Sequence, residues 1–100
     1  MKLPETTFYA AHPEGLVLTR GYEFAAANRA WVIYKDRFGI YLVCDKETGH
    51  RLLIRRFKSR AETIKKAIAR IGAIDPEKME SIVKHCIAEN SKLSVLPKPD

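Results

Sequence analysis

Cysteine is scarce in this 100-residue chain: only Cys44 and Cys86 occur, far apart and in no CxxC pair. That usage excludes a disulfide-stapled secreted scaffold and points to a reducing, cytoplasmic compartment. Glycine and proline contribute five residues each, too few for a collagen-like or low-complexity chain. Long apolar runs are missing as well. Residues 40–44 (IYLVC) form one of the longest, far short of the ~20 residues that span a bilayer. The opening Met1-Lys2-Leu3-Pro4-Glu5 reaches an acidic residue at once, so no signal peptide and no membrane partner are expected. Catalytic signatures are also lacking, with no GxSxG, HExxH, Walker loop or GxGxxG.

What remains is a globular composition, 46% hydrophobic and 30% charged, in a length that suits one domain over 1–100. Residues 1–15 read as irregular, with Pro4 and the turn-rich His12-Pro13-Glu14-Gly15. A short strand over 16–20 ends at Gly21. Residues 22–30 carry two signals: Ala25-Ala26-Ala27 favours a short helix, whereas Tyr22 and Phe24 alternate as in a strand; the choice stays open, leaning to helix. Residues 30–35 and 40–44 are β-rich and flank Asp36-Arg37-Phe38-Gly39, a four-residue hairpin turn. A second turn, Lys46-Glu47-Thr48-Gly49, leads to a third strand over 50–58.

Pairing Lys35 with Ile40 places Trp31, Ile33, Ile40, Leu42 and Cys44 on the core side of this meander. Val32, Tyr34, Tyr41 and Val43 then share the other side, with Leu52 and Ile54. So much apolar surface needs a cover.

Two helices follow. Ser59-Arg60-Ala61-Glu62 is a capping box, Ala61, Ile64, Ala67, Ile68 and Ile71 form an apolar stripe, and Gly72 marks the stop. Asp75-Pro76 opens the second helix, whose stripe is Met79, Ile82, Val83, Cys86 and Ile87, to about Asn90. Residues 92–96 add an edge strand before a flexible tail over 97–100. The fold class is α+β: an antiparallel meander of three or more strands followed by an αα-hairpin packed on the sheet.

Charge is distributed unevenly. The chain carries +6, yet residues 51–70 alone carry +7, from Arg51, Arg55, Arg56, Lys58, Arg60, Lys65, Lys66 and Arg70 against Glu62. These eight side chains gather at one strand-helix junction, beside the electropositive start of a helix, where phosphates are attracted. They are the candidate nucleic-acid-binding residues, with Tyr34 and Tyr41 as candidate base-stacking groups. The alternative for the charge is a solvated face, with Glu62 and Lys66 as an ordinary i, i+4 pair.

Other chemistry finds less support. His12, Cys44, His50, His85 and Cys86 have no recurring zinc-ligand spacing, so neither metal nor cofactor is expected. Cys44 beside His50 makes a poor nucleophile-base pair, because a thiol facing the core stays protonated. Asp45 and Glu47 belong to a turn, and Asp75 and Glu77 to a helix cap, so no paired-carboxylate constellation supports a nuclease, and a small nuclease using the basic groove with one or two acids stays open as a third reading. In element order alone, the chain resembles double-stranded-RNA-binding domains and integrase arm domains. It departs from the former at Phe57-Lys58-Ser59-Arg60-Ala61-Glu62, where a dense lysine run would stand, and no functional residue is carried over.

The leading expectation is a small non-enzymatic protein of a bacterium, phage or plasmid that binds DNA or RNA through phosphate contacts of low sequence specificity. The alternative is a protein-interaction module, an inhibitor or assembly partner, or a homodimer, contacting its partner through the apolar sheet face.

Overall fold

The computed structural model describes residues 3–52, 54, 55 and 57–96. Four strands form one antiparallel meander in sequence order: β1 (Glu5–His12), β2 (Gly15–Ala26), β3 (Arg29–Lys35) and β4 (Tyr41–Asp45). Two helices follow, α1 (Arg60–Gly72) and α2 (Pro76–Asn90). The expected α+β class, a meander and then an αα-hairpin, is the observed one.

The stretch expected to be irregular instead contains a strand, since β1 occupies Glu5–His12 and pairs with β2 from Glu5↔Tyr22 to His12↔Gly15. No helix forms over 22–30. The alternation of Tyr22 and Phe24 prevails over alanine propensity because β2 runs on to pair with β3, from Tyr22↔Ile33 to Ala26↔Arg29. Ala27 and Asn28 form a two-residue hairpin turn with φ of 52° and 59°, the positive values that a type I′ turn requires.

The β3–β4 loop is one residue longer than expected, and that changes every facing. Asp36 closes it: its Oδ1 accepts from Phe38 N (2.8 Å) and Ile40 N (3.0 Å), and its own N–H donates to Ile40 O at 2.9 Å. The register is therefore Lys35↔Tyr41, Ile33↔Val43 and Trp31↔Asp45. Trp31 and Ile33 share a face with Tyr41 and Val43, while Leu42 and Cys44 move to the face of Val32 and Tyr34.

Each face has its own cover. Phe24, Trp31, Ile33 and Val43 pack against Ala67 and Ile71 of α1, with Leu52 and Ile54 at the margin. Burying a side chain such as Ile33 or Ile71 contributes about 1.5–3 kcal/mol. On the opposite face, Val32 and Cys44 are buried by Phe8 and Ala10 of β1, with Tyr34 beside them. The cover expected for this face thus comes from the chain itself. Strand β1 reaches it because β2 changes partner at Tyr22, next to Gly21, where a Cβ would lie 2.6 Å from Ile33 O. The sheet rolls until Ala11 N donates to Gly49 O at 2.9 Å.

Among the described residues of 50–58 no strand of the ladder is formed. The segment follows β4 through isolated bridges, Cys44↔Arg51 and Tyr41↔Phe57, and Leu52 N donates to Val43 O at 2.8 Å. The expected edge strand over 92–96 is likewise one parallel bridge, Leu16↔Val95. The tail over 97–100 lies outside the described residues.

In α1 the buried residues are Thr63, Ala67 and Ile71; Ala61 and Ile68 are exposed, contrary to the expected stripe. Thr63 tolerates burial because its hydroxyl donates to Ser59 O at 2.7 Å. Gly72 is the last helical residue, and the cap that follows, Ala73, is right-handed, so Gly72 supplies no left-handed stop. Asp75 caps α2 by accepting from Glu77 N. Of the α2 stripe only Cys86 is buried, Met79 and Val83 are half-buried, and Ile82 and Ile87 are exposed.

Two predictions follow from this packing. Ala27→Gly relieves a left-handed alanine and is expected to raise stability by about 1 kcal/mol in chemical denaturation; a loss would contradict the turn geometry. Burial pushes the Cys44 thiol up to about 11 from 9.0. Above pH 9 the unfolded chain's thiol ionises while the folded one keeps its proton. The stabilisation is therefore full below pH 9 and declines by about 2–3 kcal/mol as pH rises towards 11. Stability-pH curves of the wild type and Cys44→Ala should diverge in that window, and parallel curves would contradict the assignment.

Candidate functional site

The basic segment is held in place by the turn that precedes it. Asp45, at the end of β4, is buried to 6% exposure with a carboxylate that receives four donors. Arg29 Nε (3.1 Å) and Nη2 (2.7 Å to Oδ2) approach from β3, and Thr48 N (3.2 Å) and Oγ1 (2.8 Å) from the turn. The Asp45 bonds hold the Arg29 guanidinium above its ordinary range. The next layer ties in the helices: Asn90 Nδ2 donates to Thr48 O at 2.6 Å, and His50 Nε2 lies 3.0 Å from Asn90 Oδ1. Gly49 sits at φ 72°, and a Cβ there would collide with the Tyr9 carbonyl. The turn thus joins β1, β3, β4 and α2, and the chain leaves it at His50 to carry Arg51 and Arg55 along the β4 edge.

Helical phase then sorts the cations of α1. Lys66 and Arg70, one turn apart, flank the buried Thr63-Ala67-Ile71 face on the side of the 51–57 segment. With Arg55, Glu62, Ile54 and Phe57 they line a cleft of about 470 Å³. Arg51 and Arg55 line an adjoining depression with Tyr41. Arg55, Lys66 and Arg70 therefore form one basic run over a partly apolar floor, with Arg51 at its margin, where the bridge to Cys44 turns it towards the Cys44 and Tyr34 face.

The other predicted residues go elsewhere. Lys65 follows Thr63 by two positions, about 200° around the helix, and points away from the cleft. Arg60, in the first turn of α1, is nearly in phase with the buried face and reaches the sheet, its guanidinium 5.2 Å from the centre of the Tyr22 ring. Lys58 is exposed at the junction, outside the cleft lining. Arg56 lies outside the described residues.

Tyr34 and Tyr41 sit on opposite faces and form no common stacking platform. Tyr34 is half-buried, its ring 5.7 Å from that of Phe8 and its hydroxyl accepting from Cys44 Sγ at 3.8 Å. Burial, with Cys44 beside it, drives its hydroxyl pKa well up. Tyr41 stays beside Arg51 and Arg55, with the Lys35 ammonium 5.1 Å from its ring centre.

Acidic side chains are largely engaged away from the cleft. Asp45 and Glu47 pair with Arg29, Glu23 with Lys46 (2.6 Å), Glu80 with Lys84 and Glu89 with Lys92. Among the described residues no ion pair within 4.0 Å involves Arg51, Arg55, Lys66 or Arg70, and the anticipated Glu62–Lys66 pair is not formed. Half of the capping box is present, Glu62 N donating to Ser59 Oγ at 3.3 Å, while the Glu62 carboxylate lines the cleft.

Sequence reasoning missed the Arg29-Asp45-Thr48-Asn90 network and the apolar floor formed by Ile54 and Phe57. The Asp-x-x-Thr-Gly run at 45–49 is the available signal for the turn, since an Asp side chain readily accepts from backbone groups a few residues on. No family model, curated protein or solved structure matches the chain. The site defines the protein as a small α+β domain with a cationic cleft beside its first helix.

Replacing Asp45 by Asn keeps the volume but removes the charge that Arg29 and Thr48 bind. A loss of about 2–3 kcal/mol is expected in urea unfolding, and an unchanged midpoint would show that the turn does not depend on this carboxylate.

Proposed function

We propose that the protein is a small non-enzymatic nucleic-acid-binding module that works in the reducing cytoplasm of a bacterium or phage-infected cell. The observation that carries this reading is the cleft in which Arg55, Lys66 and Arg70, with Arg51 at the margin, stand against Glu62 alone. Cations without acidic partners within 4.0 Å remain available to phosphate oxygens, and spacing along a helix and an adjacent extended segment suits a regular row of backbone charges. Few groups offer base-edge recognition, so sequence specificity is low. Tyr41, next to Arg51 and Arg55, is the remaining candidate for stacking on an unpaired base. Glu62 is the one carboxylate in the cleft among the described residues, so a nuclease lacks its second acid there.

A second reading draws on a different surface. The sheet face once expected to contact a partner is covered by Phe8 and Ala10, but Tyr9 and Leu18, paired across β1 and β2, are 47% and 42% exposed. Ile87 of α2 lines the same depression as Tyr9 and is 48% exposed. These residues suit a protein partner or a second copy of the chain.

Fluorescence anisotropy with short labelled duplex and single-stranded DNA and RNA, over a salt series, tests the leading reading. Four phosphate contacts predict a log-log slope of about −3 to −4 on a DNA duplex, which Arg55→Ala/Lys66→Ala/Arg70→Ala should flatten to about −1. No binding at low salt, or equal binding by the triple variant, would overturn it. A concentration-dependent dimer that Tyr9→Ser/Leu18→Ser abolishes would favour the second reading.

A further inference from the structure

A second cavity lies under α2, between that helix, the end of α1 and the sheet. Its volume is about 220 Å³, and its walls are largely apolar: Trp31, Leu52, Met79, Val83 and Cys86. It exists because α2 is tied down at its C-terminal end, through Asn90 and the Thr48 turn, while only Cys86 of its stripe is buried. At ~30 Å³ of liquid per water, the space equals about seven waters, enough for a compact organic molecule of roughly seven to ten non-hydrogen atoms.

The polar groups of the wall decide its preference. Asp45 is already bound by Arg29 and Thr48, and the His50 ring by Asn90, so neither asks for a ligand. Arg70 also lines the cavity, and among the described residues it has no ion pair within 4.0 Å; Arg51 borders the space too, but its charge acts on Tyr34 and Cys44 across the sheet. We infer that this cavity binds a small amphipathic carboxylate, its hydrocarbon part against Trp31, Met79 and Val83 and its carboxylate held by Arg70. An apolar recess with a few convergent polar groups is the usual form of a small-molecule site, and guanidinium groups favour carboxylates through paired N–H donors. This inference goes beyond nucleic-acid binding and stands without it, although Arg70 borders both sites, so a bound carboxylate and a phosphate would compete for that one guanidinium.

Trp31 is the only tryptophan of the chain, so its emission reports occupancy directly. Titration of the intact protein with octanoate is expected to give a saturable change in Trp31 fluorescence. Octanol and octylammonium should bind about tenfold or more weaker, and Arg70→Gln should weaken octanoate about tenfold while leaving the circular dichroism spectrum unchanged. Val83→Phe, which fills the recess, should abolish the response. Absence of saturation by octanoate, equal binding of octanol, or full retention by a folded Arg70→Gln protein would overturn the inference.

Discussion

The Asp45 carboxylate is the constraint on which the rest of the arrangement depends. A charge this deeply buried is stable only when its oxygens are occupied, and here the donors come from β3 and from the turn that β4 enters. Satisfying Asp45 therefore fixes the 45–49 turn, and the turn offers its own carbonyls outward. Thr48 O is taken by Asn90 of α2 and Gly49 O by Ala11 of β1. One ionic contact thereby holds the rolled sheet closed and anchors the last helix, and it sets the direction in which the chain leaves towards Arg51 and Arg55.

The same network separates charge across the molecule. Arg29 engages Asp45 and Glu47, and Lys46 engages Glu23, so acids of the sheet end are neutralised by sheet residues. Glu80 and Glu89 of α2 pair within or just beyond their own helix. The positive excess of residues 51–70 consequently meets few opposing groups. Its usable part is narrower than the count of basic residues suggests, because an α-helix distributes successive side chains around its axis. Lys66 and Arg70 turn towards the extended segment, Arg60 turns towards Tyr22, and Lys65 turns outward.

How much of this was legible in the sequence differs from element to element for physical reasons. Both helices were, because Ser59, Asp75 and Pro76 are local signals whose caps do not depend on distant contacts. The β3–β4 hairpin was legible but its register was not: the Asp36 side chain lengthens the loop by one residue, and one residue inverts every facing from Ile40 to Cys44. Residues 22–26 stayed undecided between strand and helix, leaning to helix, because alanine propensity is a local term, whereas Phe24 is buried by residues of β3 and α1. The basic cleft was legible as a run of charge; its division among three directions was not, since that division follows from which α1 face the sheet buries.

The proposal is one of location: nucleic acid would bind along Arg55, Phe57 and the Lys66–Arg70 flank of α1. Backbone amide NMR during titration with a short duplex and a short single strand tests it most directly. The account predicts salt-sensitive shift changes confined to Arg51, Arg55, Phe57, Glu62, Lys66, Arg70 and their neighbours. Perturbation centred on Tyr9, Leu18 and Ile87, or none at low ionic strength, would contradict it.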